Sequence, residues 1–311
     1  MAHILITGAN GFLGKNLLRH WLANNSDYDR LTTPSSTELN LTSFGHTYEH
    51  LRRLAPLDGI IHLAALCGGI GINQQRPGDF IYKNLMMGAN ILEAARIFGV
   101  RKILLLGTVC QYPKFTTPPF KENDIWNGYP EETNAPYGIA KKTIMEMGLA
   151  YRRQYKMNVV SLIPTNLVGE FDHFEEDRSH VIPALIKKFG QAVRDKLPNV
   201  TVWGDGTASR EFLDARDAAR AIYLAYKNYN GDQPVNIGNN KEVTIKELVN
   251  TIAKLMKYKG EIIWDTTKPN GQPRRCLDVS RAKELFGFEA QIPLEESLTK
   301  VIEYAKEQGY A

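Results

Sequence analysis

The sequence predicts an α/β protein built on a doubly wound parallel sheet, with a smaller α/β substrate-binding domain beside it. Three observations carry this. Short apolar runs alternate with longer stretches of helical spacing over the first two-thirds of the chain. A glycine-rich turn, Gly8 to Gly14, follows the first apolar run and opens the first helix-patterned stretch. Beyond Pro164 the alternation loosens into a mixed region. Strands that alternate with helices lie parallel with both faces covered, and right-handed crossovers wind the sheet in both directions.

The elements follow in order. His3–Thr7, Gly59–Leu63, Lys102–Leu106 and Val159–Ile163 are dense in Ile, Leu and Val and read as buried strands. Gly11–Asn24, Pro77–Phe98 and Tyr137–Tyr155 carry helical spacing, with Pro77 suited to a helix start. A second strand leads into Leu31–Thr37. Residues 166–180 are polar and read as a loop, Val181–Val193 as a helix and Val200–Trp203 as a strand. Asp217–Lys227 is an Ala-rich helix, and Val235–Ile237 a short strand. Val243–Met256 and Leu294–Gln308 read as amphipathic helices, separated by the Pro/Gly-rich Lys268–Pro273. Residues 1–165 and 214–240 then form a dinucleotide-binding domain, and 166–213 with 241–311 a substrate domain.

Composition sets limits. In 311 residues, 43% hydrophobic and 23% charged, a sizeable core is available, which excludes disorder, collagen and coiled coil. The net charge of +4 is mild, and basic residues stand at most two together, so no nucleic-acid partner is expected. No apolar run reaches the roughly 20 residues of a membrane span, and residues 1–7 lack the positive flank of a signal peptide. Cys67, Cys110 and Cys276 are too few and scattered for a disulfide framework or a zinc site. The expectation is a cytoplasmic protein without a metal.

Gly8, Gly11 and Gly14 are spaced G-x-x-G-x-x-G, with Asn10, Phe12 and Leu13 between them. After a strand and before a helix, such glycines allow a tight turn, a close approach of backbone to pyrophosphate, and helix–strand packing. The nucleotide type stays open. Neither the acid that marks an NAD ribose nor the arginine that marks an NADP phosphate stands in Leu31–Thr37, whose hydroxyls suit a 2′-phosphate.

Tyr137 and Lys141 stand one helical turn apart. An ammonium near the phenol favours the phenolate and equips the tyrosine for proton exchange. Tyr223 and Lys227 repeat the spacing and read as a surface pair. Only Tyr137 comes after a buried strand that ends in Gly107-Thr108-Val109-Cys110, and strand ends are where α/β sites lie. Thr108 can orient a substrate carbonyl there.

Gly8–Gly14, Thr108 and Tyr137-x-x-x-Lys141 resemble the extended short-chain dehydrogenase/reductase superfamily, whose nucleotide domain is a Rossmann fold. His62–Ala65, Gly68–Ile70, Cys110–Lys114, Glu132–Tyr137, Pro164–Leu167, Ser179–Leu185, Val202–Gly204 and Arg210–Leu213 narrow the likeness to the GDP-L-fucose synthase family. The resemblance implies a GDP-4-keto-6-deoxy-mannose 3,5-epimerase/4-reductase using NADPH, with NAD as the alternative. It makes Cys110 the epimerisation base and His180 the acid. Tyr137 becomes the proton donor to the C4 oxygen, supported by Lys141 and Thr108. Cys110 is expected as a thiolate beside Lys141 or a histidine. The cofactor would be held by Gly8, Asn10, Gly11, Phe12, Leu13, Gly14, Leu63, Ala64, Ala65, Thr108, Tyr137, Lys141, Pro164, Asn166, Leu167 and His180. Asn166, Val181, Lys188, Trp203, Arg210 and Asn270 would hold the GDP-sugar, with Lys188 and Arg210 opposing its diphosphate.

The chain departs from the family at Val109, where a second serine is usual, and in lacking basic residues for the 2′-phosphate. Two other readings stand beside this one: a nucleotide-sugar epimerase with tightly held NAD, and a Rossmann-fold sensor without turnover. A homodimer is expected through Pro77–Phe98 and Tyr137–Tyr155, whose outer positions include Met86, Met87, Ile144, Met147 and Leu149.

Overall fold

The computed structural model describes residues 1–24, 29–175, 179–268 and 272–311. In chain order its first half comprises β1 (His3–Thr7), α1 (Phe12–Ala23), β2 (Arg30–Thr32), α2 (Phe44–Leu54), β3 (Gly59–His62), α3 (Ile70–Gln75), α4 (Pro77–Ile97), β4 (Lys102–Leu106), α5 (Ala135–Tyr155) and β5 (Asn158–Pro164). There follow β6 (Asn166–Val168), α6 (Val181–Arg194), β7 (Asn199–Trp203), β8 (Ser209–Asp214), α7 (Ala215–Asn228), β9 (Val235–Ile237), β10 (Glu242–Thr244), α8 (Ile245–Leu255), β11 (Glu261–Asp265), β12 (Arg274–Arg275), α9 (Ser280–Phe286) and α10 (Leu294–Glu307).

The main sheet has the order β2-β1-β3-β4-β5-β9, and every pairing in it is parallel. The order reverses beside β1, so chain crossovers cover both faces, as a doubly wound sheet requires. On one face, Leu17 and Trp21 of α1 pack with Ala218, Ile222 and Ala225 of α7. On the other, α2, α4 and α5 bury Leu51, Ile91, Ala95 and Ile144 against β3 and β4. Because each strand is covered twice, β1 and β3 read as unbroken apolar runs in the sequence.

A second set of strands gathers on β8, flanked by antiparallel β10 and by parallel β12 and β6. A separate parallel pair joins β7 and β11. Phe189, Ile186, Leu248, Ile252, Leu298 and Val301 fill the space between these strands and α6, α8 and α10. Glu211 ties the region to the main sheet. Its fully buried carboxylate accepts from the backbone N–H groups of Asn239 (2.5 Å), Asn240 (2.7 Å) and Leu277 (2.8 Å). Among the described residues no helix is long and apolar enough to cross a membrane.

Several expectations are corrected. Residues 166–180 are not all loop, because Asn166–Val168 pairs with Phe212–Asp214 as a strand. The helix expected from Val243 starts at Ile245, after β10, with Thr244 as a capping box partner of Glu247. Ile144 does not face outward: its side chain fills the space beside Gly88, where an added Cβ would meet it at 2.4 Å. Met86, Met87, Met147 and Leu149 are half-buried. Tyr223 and Lys227 are no surface pair either, since Lys227 Nζ lies 2.7 Å from the buried Asp29 carboxylate. Pro269–Gly271, including Asn270, lie outside the described residues.

Candidate active site

The glycine turn has two kinds of position. Gly8 has φ +74°, and a Cβ there would sit 2.6 Å from the Ala64 nitrogen. A Cβ on Gly14 would sit 2.2 Å from the Gly8 oxygen. Those two glycines are demanded by the protein's own packing. Gly11 is different. Its missing Cβ meets only the Gly8 oxygen, at 3.3 Å, and as N-cap of α1 it makes no side-chain cap bond. The opening N–H groups of α1 are therefore presented beside an open cradle, the arrangement that receives a phosphate. Leu13 is buried and Phe12 packs at Gly169, while Asn10 is exposed. Leu63, Ala64 and Ala65 continue β3 alongside Gly8. Pro164 ends β5, and Asn166 Nδ2 donates to the Glu211 carbonyl at 2.9 Å with Leu167 half-buried next to it. The residues present fit a dinucleotide. Past β2, however, the hydroxyls are not free: Ser35 Oγ bonds Thr37 Oγ1 and the Glu38 carboxylate, both at 2.8 Å. An acid that the sequence reading overlooked stands among them.

At the end of β4, Gly107 N–H donates to Leu162 O, and Thr108 caps the 3-10 turn Val109–Gln111. Thr108 Oγ1 accepts from Cys110 N–H at 3.3 Å, and Gln111 Oε1 accepts from Thr108 N–H at 2.7 Å. The first turn of α5 lies directly on this loop, since a Cβ on Gly138 would approach the Cys110 oxygen to 2.1 Å. That contact brings Tyr137 to the turn.

The electrostatics differ from the sequence expectation. Tyr137 is pushed well above the usual tyrosine value by burial, then by the Cys67 and Cys110 sulfurs, with a Thr108 hydrogen bond opposing. Its hydroxyl lies 3.3 Å from Cys67 Sγ. Lys141 does not touch the phenol. Its Nζ donates to Leu106 O at 3.0 Å, and burial lowers its own affinity for a proton. Beneath it, buried His62 bonds Thr7 Oγ1 through Nδ1 at 2.8 Å and is pushed down to about 3 by burial and by Lys141. The cation touching Cys110 is likewise neither Lys141 nor a histidine. Arg275 Nη1 lies 3.7 Å from its sulfur. Arg275 is held by Gln272 Oε1 (2.7 Å), and Gln272 Nε2 donates to Lys114 O (2.7 Å).

His180 stands before α6 with Nδ1 3.5 Å from Asp172 Oδ1. Partial desolvation of this half-exposed ring works against a charge, but the Asp172 carboxylate outweighs it and raises the proton affinity. Val181 follows, exposed. Lys188 Nζ donates to Thr201 O at 2.7 Å, and burial lowers its proton affinity. Trp203 is 65% exposed at the end of β7, with Lys268 Nζ 5.6 Å from its ring centroid, so it is not a core residue. Arg210 pairs in register with Arg275 and donates to Ser209 O at 2.7 Å. Burial and Arg275 lower it to about 10, and Cys110 opposes.

Residues 4–238 match the model of the NAD dependent epimerase/dehydratase family. The chain belongs to that family. Within it, the chain is 38% identical over 310 residues to GDP-L-fucose synthase of Escherichia coli (strain K12), covering 97% of this chain and 95% of the relative. It is also 38% identical to GDP-L-colitose synthase of Yersinia pseudotuberculosis, covering 97% of each. Among solved structures, a GDP-L-fucose synthetase from Naegleria fowleri bound to NADP superimposes with a TM-score of 0.90 at 25% identity, covering 99% of this chain and 95% of that one. The likeness read from the motifs and the doubly wound sheet both hold for this family member.

Sequence reading missed Arg275, Asp172 and Cys67 at this family site. Arg275 lies in a two-residue strand too short to show periodicity, and Asp172 in a polar stretch with no motif. Cys67 had only its residue type as a signal.

Proposed function

We propose that this protein is the GDP-4-keto-6-deoxy-mannose 3,5-epimerase/4-reductase that forms GDP-L-fucose with NADPH. The observation that carries the reading is the convergence at the end of β4. A thiol with an arginine at 3.7 Å and a tyrosine hydroxyl share one recess. The 4-keto group acidifies C3–H and C5–H, so one base and one acid in a single pocket invert both centres. Cys110 takes the proton, and Arg275 faces the negative charge that the sulfur exchanges with the sugar. His180 returns a proton to the carbon. The glycine turn, Leu63–Ala65 and Pro164–Leu167 would hold a nicotinamide dinucleotide, which would supply the hydride for C4. Tyr137, kept protonated by burial, gives its proton to the C4 oxygen, with Thr108 aligning the hydroxyl and Lys141 placed below.

Lys188 and Arg210 face the diphosphate, Trp203 offers its exposed ring to guanine, and Asn166 and Val181 line the sugar end. Residues 1–165 with 214–240 act as the nucleotide domain and the remainder as the substrate domain. Two copies pair through α4 and α5 as a C2 dimer, which light scattering tests. Localisation is cytoplasmic, in keeping with three free cysteines.

Equal identity to a GDP-L-colitose synthase favours a second reading, a sister enzyme whose product is GDP-L-colitose. Glu38 beside the Ser35 hydroxyl gives NADH a specific case. Incubation with GDP-4-keto-6-deoxy-mannose or with its 3-deoxy counterpart, and either NADPH or NADH, followed by NMR of the sugar, decides among these. The expected product is GDP-L-fucose at the expense of NADPH. Untouched substrate with both dinucleotides would sink the proposal.

A further inference from the structure

His180 occupies the N-cap position of α6 in extended backbone (φ −81°, ψ 174°), yet its side chain makes no cap bond. The ring is not used to hold the helix. Its Nδ1 points instead to Asp172 Oδ1, at 3.5 Å. The Asp172 side chain is 2% exposed, and the same oxygen accepts from His173 N–H at 2.8 Å, so its own loop fixes its direction. The loop is anchored in turn by Phe174, fully buried and stacked on Tyr310 at 4.7 Å. The His180 side chain is 45% exposed, and with Nδ1 turned to Asp172 the opposite ring nitrogen is left to the other side.

We propose that Asp172 is a positioning residue that holds His180 with Nδ1–H toward its carboxylate and Nε2–H toward the sugar, making His180 the group that returns protons. The inference rests on the function proposed above. In the step itself, the Nε2–H bond breaks and a C–H bond forms at the enolate carbon. The imidazolium becomes a neutral ring that keeps its Nδ1 proton against Asp172, and solvent reprotonates Nε2 at its open edge. A buried carboxylate without a cation is costly, and here that cost holds the imidazolium form in place. Among the described residues, Asp172 from the loop after β6 faces the ring, and the positive end of α6 opposes a cation there; the same carboxylate also acts on the Cys67 thiol. The raised proton affinity of His180 shows that Asp172 prevails.

The test compares Asp172→Asn and Asp172→Glu with wild type by NMR of ¹⁵N-histidine-labelled protein, His180 being assigned by the signal lost in His180→Asn. The expected result is a His180 midpoint about one pH unit lower in Asp172→Asn, with loss of the Nδ1–H tautomer, and partial recovery in Asp172→Glu. Midpoint and tautomer unchanged in Asp172→Asn would overturn the proposal. With substrate, Asp172→Asn should lose about 10²-fold in C3/C5 epimerisation while KM holds and singly epimerised or unepimerised reduced sugars are released. Equal losses in epimerisation and hydride transfer would also overturn it, because they mark a structural defect. A wild-type protein inert toward GDP-4-keto-6-deoxy-mannose would refute the proposed function, and the NMR comparison would still decide the Asp172–His180 pairing.

Discussion

The chain carries the spacing Tyr-x-x-x-Lys twice, on α5 and on α7, and the two copies have different surroundings. On α5, Tyr137 meets a thiol and a threonine hydroxyl, and Lys141 is buried against the Leu106 carbonyl. On α7, Tyr223 donates to Asn24 O at 2.9 Å, and Lys227 pairs with Asp29 and lies over the Trp21 and Tyr223 rings. The second copy is a clamp that fastens α7 to α1 and to the start of β2. Spacing alone places both pairs on one helix face; what lies opposite that face decides between chemistry and packing. On α5 it is the loop after a central strand. On α7 it is the flank of another helix.

The comparison breaks most sharply by matched substitution. Tyr137→Phe should lose about 10²–10⁴-fold in hydride transfer while C3/C5 deuterium exchange continues, because only reduction needs a proton at the C4 oxygen. Tyr223→Phe should leave both rates at the wild-type level. Stopped-flow at 340 nm and proton NMR in D₂O read the two halves separately. Equal losses from both variants would erase the distinction.

Cys110→Ser tests the other half of the same recess. Exchange should fall about 10²–10⁴-fold, with slow reduction of the 4-keto group surviving. Arg275→Gln should act in the same direction but less, by about 10- to 100-fold, the equivalent of one charge-assisted hydrogen bond at roughly 1.5–3 kcal/mol. Arg275→Lys should recover part of the loss. If Arg275→Gln slows reduction as much as exchange, the arginine serves the fold of β12 and not the sulfur.

On the clamp the expected effect is on stability. Lys227→Met removes the cation from an aspartate whose side chain is 2% exposed, and should cost about 2–3 kcal/mol in denaturant unfolding with turnover unaffected.

The last effects are in pH dependence, smallest at any one pH step, and they separate the two regions by window. His62, under Lys141, is held down to about 3. Its unfolded form takes up a proton below about 6.5 that the folded form refuses, so stability falls by at most ~1.4 kcal/mol per unit as pH drops from 6.5 toward 3. His62→Gln should flatten that slope. Burial pushes Asp29 up, but the Lys227 and Ala2 hydrogen bonds hold it below the usual carboxylate value. Its contribution is therefore present above about 3.9 and lost as pH falls through the lower folded value, a slope that Lys227→Met should weaken. Chemical denaturation at stepped pH reads both.

Some of this was determined by the sequence itself. β1 and β4 carry the same bounds in the sequence and in the fold, because strands buried on both faces must be continuous apolar runs. The glycine turn was legible because Gly8 and Gly14 admit no Cβ, a constraint that local backbone imposes whatever surrounds it. The region around β8 was read poorly. β6, β10 and β12 have only two or three residues each, and long-range pairing with β8, not local pattern, makes them strands. The partners of the site belong to the same class. Arg275 reaches Cys110 from 165 residues away in the chain, through a register that sets it beside Arg210. Lys141, four residues from Tyr137, turns instead to a carbonyl of β4. Residue types and local periodicity are written in the chain. Which charge stands beside which proton is decided only when separate segments pack, because Coulomb and hydrogen-bond interactions act across space and depend on burial.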